Sequence, residues 1–421
     1  MAVPHSAVSL KVGLAGAIAM LAFTVLAHAQ NWSGQIATPV LLIGTAWVMI
    51  VVSVLVDKVH LNPSTGMNYS LQRPAREVLS ITFTKTIATI VTYGLVGFYY
   101  FTFRFYQEPS YEYYLSSVDE WGLTLLALSP FYIYFTSKFM EQPRDAIWHF
   151  GKAVSLQKHG VDFELVKDHV RVWAIKGFYL AFMMSITPNV IDTLLKADTS
   201  DLFSNPVPLV LYVLKVFFVF DVVFGAIGYF CTFRVIDTHI RSANPHIAAW
   251  LAAFVCYPPF NSLFLAGPLN YHIGTQEWMV WFEGYNVFLA LWGGIIAALV
   301  FVYAWSTVAF GLRFANLSYR GVITNGPYRY VKHPAYLSKN LFWWMVAMPF
   351  LNLNDPVEGF RNCILLLAVN IIYYFRAKTE EKHLLAYPEY RTYSDWVDAN
   401  GLFKAFKKYR NYNEMNKLRD K

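Results

Sequence analysis

Apolar runs recur along the whole chain and alternate with short polar segments. Most runs are about 18 to 25 residues long, which is the length that a helix needs to cross the hydrocarbon core of a bilayer. The run at 279–312 is too long for one upright helix, so we expect it to tilt or to project beyond the membrane. The run at 335–350 is short and is expected to pack on protein rather than on lipid. The ten candidate spans are 8–28, 35–56, 84–106, 120–137, 172–192, 206–230, 247–268, 279–312, 335–350 and 359–375.

The composition agrees with a membrane location. Of the 421 residues, 56% are apolar and only 14% are charged, which is too apolar for an ordinary soluble protein. The pattern therefore predicts an all-α fold, a polytopic integral membrane protein with about ten transmembrane helices. The sequence does not distinguish a bacterial inner membrane from one of the endoplasmic-reticulum type, and it leaves the oligomeric state unknown.

Lysine and arginine are concentrated in every second polar segment. The segments 57–83, 138–171, 231–246 and 313–334 and the tail 376–421 carry 3, 6, 2, 4 and 11 of them, whereas the opposite segments carry only Lys196. Because such residues accumulate on the cytoplasmic side, both chain termini and the candidate site are predicted to face the cytoplasm. The basic residues are spread over every inner segment, so the predicted partner is the lipid bilayer and not a nucleic acid.

The first apolar run has two interpretations. Lys11, the stretch 12–26 and Ala27-His-Ala29 together resemble a signal peptide with its cleavage site. We favour a retained helix, because the segment before the run is only weakly basic and a second span follows at once.

Three further features interrupt this scaffold. Asp221 lies inside the sixth apolar run, where an acid is costly and indicates function, so we expect it to line a polar substrate cavity and to have a partner on another helix. The interval 138–171 predicts an amphipathic helix on the inner membrane surface. Pro258-Pro259 should break or bend the seventh run, and a packing kink is favoured over a cavity lining.

Charged chemistry is concentrated in two motifs near the C-terminus. The first is Asn325-Gly-Pro-Tyr-Arg-Tyr-Val-Lys-His-Pro-Ala-Tyr336. Pro334 suits the first turn of a helix, which places His333 beside free backbone amides that favour an anion. Basic and aromatic residues before a span are also ordinary interfacial anchors, and the local pattern leaves both interpretations open.

The second motif, Arg376-Ala-Lys-Thr-Glu-Glu-Lys-His-Leu384, follows the last apolar run. Arg376 and Glu380 share a helix face that His383 continues, whereas Glu381 points about 100° away. Taken alone, this motif favours an interfacial ion pair. The apolar hairpin between the motifs allows both to return to the same membrane face.

Together the motifs resemble the isoprenylcysteine carboxyl methyltransferase and phospholipid methyltransferase superfamily over about 280–400. The shared order is Gly-x-Tyr-x-x-x-Lys/Arg-His-Pro-x-Tyr, an apolar hairpin, Arg-x-x-x-Glu-Glu-x-x-Leu, and Tyr-x-x-Tyr-x-x-x-Val ending at Val397. The resemblance implies a methyltransferase-like module at 279–421, with a cytoplasmic cofactor site and a basic tail, behind an N-terminal transmembrane bundle at 1–278 of unassigned role. It implies S-adenosylmethionine as the cofactor and a membrane lipid or lipid-linked small molecule as the methyl acceptor.

The resemblance also implies roles for individual residues. Glu380 and Glu381 would pair with the ammonium of the cofactor, and its carboxylate would bind His333, Lys332 and Arg376. Aromatic faces such as those of Tyr330 or Tyr336 would hold the sulfonium. The predicted cofactor-binding residues are Tyr328, Tyr330, Lys332, His333, Tyr336, Arg376, Glu380 and Glu381. The predicted catalytic residues are Arg376, Glu381 and Asp221, and no metal site is predicted.

Two positions depart from the family pattern, and the acceptor chemistry stays open. Lys332 stands where many members have arginine, and Ser338 stands where many have glycine. A carboxylate or phosphate acceptor is already ionised and needs no general base. An amine or thiol acceptor would need deprotonation, for which Glu381 and His383 are candidates.

Two other functions are weighed against methyl transfer. Membrane reductases of the sterol and steroid type, which use NADPH, have a similar Arg-His-Pro-x-Tyr element, but they favour asparagine where this chain has Ala335 and lack so clear a Glu-Glu-x-x-Leu. The chain could also be a transporter or assembly protein without enzymatic activity. The joint presence of His333, Tyr336, Arg376, Glu380 and Glu381 disfavours that alternative.

Overall fold

The computed structural model describes residues 3–157, 159–267, 269–352 and 355–405, so the basic tail from 406 onward lies outside the described residues. Within these ranges the fold is helical apart from one short antiparallel pair, β1 (Ser242–Ala243) with β2 (Ser318–Tyr319), and isolated bridging residues. The α-helices are α1 (Leu10–Ala29), α2 (Gly34–Leu55), α3 (Ala75–Thr102), α4 (Glu112–Phe139), α5 (Ala146–Val154), α6 (Phe163–Leu195), α7 (Pro206–Phe230), α8 (Ile247–Phe254), α9 (Ser262–Leu265), α10 (Trp278–Trp281), α11 (Asn286–Val308), α12 (Pro334–Ala347), α13 (Pro356–Leu384) and α14 (Pro388–Asn400).

Seven of these helices, α1, α2, α3, α6, α7, α11 and α13, are long and apolar enough to cross a membrane. The predicted class, an all-α polytopic membrane protein, is thereby confirmed. The other three candidate spans take different forms. The run at 120–137 lies within α4, the run at 247–268 is broken into α8 and α9, and the run at 335–350 forms the 14-residue helix α12.

Two predicted long elements are wrong. The run at 279–312 is not one tilted helix, because α10 ends at Trp281 and a turn at Gly284, whose φ is +82°, precedes α11. The interval 138–171 is not one amphipathic helix either, since α5 spans 9 residues and α6 begins at Phe163. Leu156 and Gly160 have φ of +58° and +74°, which lie in the left-handed region. The α-helical backbone of α5 therefore does not continue into α6.

Local capping chemistry fixes where several helices begin. The Asp162 carboxylate accepts hydrogen bonds from the amides of Glu164 and Leu165 at the start of α6. Asn205 caps α7 and Asp355 caps α13 in the same way, each followed by a proline in the first helical turn. The cap of α13 fixes where the helix that carries the second motif begins.

The segments rich in lysine and arginine lie together on one face of the bundle. Asp237 accepts hydrogen bonds from Asn62 at 3.1 Å and from Arg313 at 2.8 Å, and Arg234 lies 3.9 Å from Asp145. These contacts join four of the segments that the charge pattern assigns to one side. That this face is the cytoplasmic one stays a prediction.

The N-terminal segment is attached to the loop that carries the first motif. The amide of Ala7 donates to the Val322 carbonyl at 2.8 Å, and the Thr324 hydroxyl donates to the Pro4 carbonyl at 2.7 Å. The side chain of Asn325 donates to the Val8 carbonyl at 2.6 Å. That the first helix is retained stays a prediction. These contacts also join the two predicted domains, whose boundary at 278/279 stays a prediction.

The C-terminal half of α7 is buried from Val219 to Tyr229, and the loop before the first motif crosses its end. A Cβ atom at Gly228 would lie 2.3 Å from the Phe314 carbonyl oxygen, so only glycine permits this close crossing. Arg320, on the same loop, donates hydrogen bonds to the carbonyls of Gly228, Cys231 and Leu312 at 2.7 to 3.0 Å. The loop is therefore fixed to the C-terminal end of α7.

Candidate active site

The α12–α13 hairpin brings the two motifs into one cluster. His333 Nε2 lies 3.1 Å from Glu381 Oε1, and the Tyr336 hydroxyl donates to Glu380 Oε1 at 2.5 Å. The rings of His333 and Tyr336 stack with their centroids 5.5 Å apart and their planes 3° apart. Each acidic residue of the second motif is thus paired with a residue of the first.

This cluster lies in a cleft with an empty volume of about 1200 Å³, its open mouth included. The residues that line it and enter the argument below are Tyr257, Tyr303, Thr307, Asn316, Tyr328, Lys332, His333, Tyr336, Lys339, Tyr373, Arg376, Glu380, His383, Tyr390 and Tyr393.

Glu380 presents an accessible carboxylate to the cleft. Besides accepting from Tyr336, it lies 3.5 Å from Arg376 Nε and 3.9 Å from His333 Nδ1. Its side chain is 19% exposed, whereas that of Arg376 is 3% exposed. The surrounding donors hold the carboxylate in place while part of it stays open to a ligand.

Arg376 is held on several sides by the protein itself. Its Nη2 donates to Asn316 Oδ1 at 2.5 Å and to the Tyr257 hydroxyl at 3.5 Å. The guanidinium also lies 5.0 Å from the ring centroid of Tyr336 and 5.8 Å from that of Tyr373. These contacts indicate that Arg376 positions Glu380 and the aromatic wall of the cleft, which the rings of Tyr336 and Tyr373 form.

The break in the seventh apolar run contributes to this wall. Tyr257 lies just before Pro258-Pro259, and its hydroxyl accepts a hydrogen bond from Asn316 Nδ2 at 3.0 Å. The sequence favours a packing kink over a cavity lining, and the structure shows that Tyr257, beside the two prolines, lines the cleft.

Lys332 bonds to other parts of the protein instead of being free to bind the cofactor carboxylate, as the sequence predicts. Its ammonium donates to the Ser394 hydroxyl at 2.6 Å and lies 2.8 Å from Asp398, both on α14. The residue therefore fastens the first motif to α14. These contacts leave less of it for the predicted cofactor carboxylate.

The two tyrosines of the first motif have different positions. Tyr328 lines the cleft and packs edge-on against Phe310, and its carbonyl accepts from the Tyr393 hydroxyl at 2.8 Å. Tyr330 is 59% exposed and lies outside the cleft lining. Of the two aromatic faces predicted to hold a sulfonium, the structure places only that of Tyr336 in the cleft.

Asp221 lies behind the cleft wall rather than on it, which corrects the expectation that it lines the cavity. Its carboxylate accepts from the Tyr303 hydroxyl at 2.7 Å and from the Thr307 hydroxyl at 2.6 Å. Both partners lie on α11, another helix, and both line the cleft. Asp221 thus acts on the cleft through these two hydroxyls.

Lys339 is a cation of the cleft that sequence reasoning missed. Its ammonium lies 5.3 Å from the ring centroid of Tyr303, 5.4 Å from that of Trp343 and 6.0 Å from that of Tyr373. Within the described part of the chain, no carboxylate is within ion-pair distance of it. An ammonium in an apolar aromatic wall is costly without a counter-ion, so the position favours an anionic ligand.

His383 faces the cleft but is bonded to the protein. Its Nε2 lies 2.9 Å from the Ser242 hydroxyl, which also bonds to the hydroxyl of Tyr387. Because Ser242 belongs to β1, this contact connects α13 to the 231–246 segment.

The loop above the cleft is held in place by buried charges. Burial alone would raise the pKa of the Asp237 carboxyl, but Arg313, Ser64 and Arg241 together lower it. Burial and the charge of Arg313 lower the pKa of the Arg320 guanidinium to about 9, which leaves it charged at neutral pH. Asp237 and Arg313 form a buried ion pair at 2.8 Å, which fixes the position of the loop that carries Asn316 to the cleft.

Several residues of the site do not belong to any motif that could be recognised in the sequence. Asn316 lies in a loop whose position depends on contacts with α7. Lys339 carried a usable signal, since a lysine within an apolar run indicates function as an acid does. Tyr303 and Tyr373 are aromatic residues among many in apolar helices, and their sequence positions do not distinguish them from packing residues.

The fold and the cleft define an integral membrane protein with a polar small-molecule site at one end of its last helices. Residues 287–386, which contain both motifs, match the model of the isoprenylcysteine carboxyl methyltransferase (ICMT) family. This match confirms the resemblance predicted for about 280–400 and supports a membrane methyltransferase. No curated protein and no solved structure matches the chain.

Proposed function

We propose that the protein is an S-adenosylmethionine-dependent methyltransferase acting on a membrane-embedded lipid or isoprenoid-type acceptor whose reactive head lies at the cytoplasmic face. The observation that carries the proposal is the Glu380 carboxylate, which Tyr336, Arg376 and His333 hold at the cleft while part of it stays open. A fixed carboxylate beside aromatic faces suits a ligand with an ammonium and a sulfonium.

The residues present fit such a cofactor. Glu380 would accept from its ammonium, and the rings of Tyr336 and Tyr373 would face its sulfonium. Two buried polar atoms of the cleft would donate to the carboxylate of the cofactor. The Tyr390 hydroxyl has no hydrogen-bond partner among the described residues, and Arg376 Nε has only its ion-pair contact with Glu380 at 3.5 Å. When bound, S-adenosylmethionine supplies an electrophilic methyl group.

Lys339 supports an acceptor that carries an oxyanion, a carboxylate or a phosphate. Lys339 lies five residues into α12 from Pro334, about 7.5 Å along the helix axis. With both motifs at the cytoplasmic end of their helices, this would place the ammonium deeper in the membrane than the Glu380 cluster. An acceptor that enters from the bilayer would meet this ammonium before the cluster. Such an acceptor is ionised at neutral pH, so positioning and exclusion of water would suffice without a general base.

Asp221 fits this scheme as a positioning residue. Tyr303 donates its hydroxyl to Asp221 and presents its ring to Lys339. The carboxylate would therefore orient the aromatic wall around the ammonium and would offset part of its charge. Glu381 has a comparable role on the other side, where it orients His333.

A titration of the detergent-purified full chain tests the proposal. S-adenosylhomocysteine and NADPH are titrated separately in a calorimeter, with folding checked by thermal unfolding. Micromolar binding of S-adenosylhomocysteine without NADPH binding is the expected result. Binding of NADPH instead would place the chain with the membrane reductases, and binding of neither to folded protein would contradict the proposal.

A further inference from the structure

A second groove lies on the same face of the bundle, away from the cleft. It is formed by the first turns of α3 and by α5, and its walls include Arg76, Glu77, Arg144, Trp148 and Lys152. None of these residues lines the cleft or touches the motifs described above. The groove has an empty volume of about 900 Å³, open solvent included.

The groove is held by close packing between the two helices. A Cβ atom at Gly151 of α5 would lie 2.3 Å from the Thr84 carbonyl oxygen of α3, so the helices cross in direct backbone contact. Lys85 and Asp145 add an ion pair at 3.0 Å, with the lysine side chain almost fully buried. The walls therefore have a defined spacing rather than being two independent surfaces.

The charge of the groove is unbalanced. Arg76, Arg144 and Lys152 contribute three cations, and Glu77 contributes one carboxylate. None of the three cations has an acidic partner within ion-pair distance in the ranges that the structure describes. Lys152 donates to the Gln157 side-chain oxygen at 2.6 Å, a neutral partner that leaves its charge uncompensated.

Trp148 lies between two of these cations. The Arg144 guanidinium is 5.5 Å from its ring and the Lys152 ammonium is 5.8 Å from it. A tryptophan flanked by basic side chains is typical of the headgroup level of a membrane. α3 is itself one of the helices long enough to cross a membrane, and the groove lies at its first turns.

An apolar stripe leads away from the groove along α3. Leu79, Phe83 and Ile90 are all exposed and follow Arg76 at successive steps of three, four and seven residues. Residues at these spacings share one helix face. The charged groove and the apolar stripe thus form one amphiphilic surface, with the shape of a headgroup above an acyl chain.

We propose that this groove binds a membrane phospholipid with a net negative headgroup, whose phosphate meets Arg76, Arg144 and Lys152 and whose acyl chains follow α3. Charge complementarity selects an anionic headgroup, and the continuous apolar stripe selects a lipid over a free phosphate. The proposal does not depend on the chemistry of the cleft, because the two sites share no residue.

Native mass spectrometry of the full chain in a neutral detergent tests this proposal, with phosphatidylglycerol and phosphatidylcholine of identical chains as probes. The variant carries Arg76→Gln, Arg144→Gln and Lys152→Gln. A matched control carries Lys138→Gln, Lys167→Gln and Arg171→Gln, which removes the same charge from the same face outside the groove. We expect the first variant to lose phosphatidylglycerol affinity by about tenfold or more, and the control to change it less than about twofold.

A third variant separates this effect from misfolding. Glu77→Gln removes the carboxylate of the groove, so it should strengthen phosphatidylglycerol binding by about three- to fivefold. Equal losses in the groove variant and the control would contradict the proposal. So would equal binding of phosphatidylcholine by the wild type, or competition by inorganic phosphate at the concentration of the lipid.

Discussion

The imidazole of His333 and the carboxylate of Glu381 lie 3.1 Å apart, although 48 positions separate them in the chain. The contact closes the α12–α13 hairpin at the end where the two motifs meet. It orients His333, whose ring stacks on that of Tyr336, which in turn donates to Glu380. One contact therefore connects the residues of both motifs around the accessible carboxylate.

Glu381→Gln should weaken binding of S-adenosylhomocysteine about five- to tenfold, because His333 loses its charged partner and its fixed orientation. Glu381 also pairs with Lys378, whose side chain is 49% exposed. Since exposed ion pairs contribute only about 0 to 1 kcal/mol, Lys378→Gln should change the affinity less than about twofold. Calorimetry on both variants checks this, and equal losses would show that the His333 contact has no special role.

Lys339→Met should reduce methyl transfer to the lipid acceptor about thirtyfold or more, because the oxyanion would enter the aromatic wall without a counter-ion. Lys339→Arg keeps the charge and should recover part of the rate. Binding of S-adenosylhomocysteine should stay within about threefold in both variants, since Lys339 is assigned to the acceptor.

The measurement for Lys339 is transfer of a radiolabelled methyl group from S-adenosylmethionine to a total membrane lipid extract. Mild base then releases volatile methanol from the methyl ester of a carboxylate, whereas a methyl phosphate ester and a methylated amine are stable and are distinguished by mass spectrometry. A methylated amine or thioether as the product, or unchanged transfer by Lys339→Met, would contradict an anionic carboxylate or phosphate acceptor.

Asp221→Leu should lower stability by about 2 to 4 kcal/mol, because the hydroxyls of Tyr303 and Thr307 would lose their common acceptor inside the bundle. Asp221→Asn preserves one acceptor oxygen and should cost less. Thermal unfolding in detergent measures both. An unchanged midpoint for Asp221→Leu would mean that the two hydroxyl contacts contribute nothing to the fold.

Acid should destabilise the protein through His239. Burial, with the charge of Arg234, lowers the pKa of its imidazole from 6.5 to about 3. As pH falls from 7, the unfolded chain takes up a proton before the folded one, so stability is complete above about pH 6.5 and decreases down to about pH 3. Between pH 7 and pH 5 the expected loss is about 2 kcal/mol.

The pH dependence of the unfolding midpoint tests this prediction. His239→Gln should make the decrease between pH 7 and pH 5 smaller by this amount, whereas His159→Gln, at an exposed position, should leave it unchanged. The lowered pKa of Asp237 adds a second loss only at lower pH, because the unfolded chain binds a proton at this carboxyl before the folded chain does. Equal pH profiles for the wild type and His239→Gln would contradict the assignment.

Much of the architecture was accessible from the sequence because membrane helices follow from local composition. α7 and α13, capped by Asn205 and Asp355, begin close to the predicted starts at 206 and 359, whereas α6, capped by Asp162, begins well before the predicted start at 172. The meeting of His333 with Glu381 also follows from two motifs on either side of one hairpin. Helix length was less predictable, since single left-handed residues such as Leu156 and Gly284 end elements within apolar or amphipathic runs.

The cleft depends on contacts that no local pattern contains. Lys332 bonds to Ser394 and Asp398, residues of a helix that folds back after the second motif. Asn316 reaches Arg376 because Arg320 and Gly228 hold its loop against the end of α7. These placements follow from tertiary packing, so sequence spacing alone could not assign them.

The most direct test of the central claim asks whether Glu380 binds the ammonium of the cofactor. Calorimetry compares S-adenosylhomocysteine with its analogue lacking the amino group, in the wild type, in Glu380→Gln and in Asp395→Asn, a control on an exposed position of α14. We predict that Glu380→Gln lowers affinity for S-adenosylhomocysteine about tenfold or more but hardly changes that for the deaminated analogue, and that Asp395→Asn alters neither. Equal losses for both ligands, or no loss for either, would contradict the account.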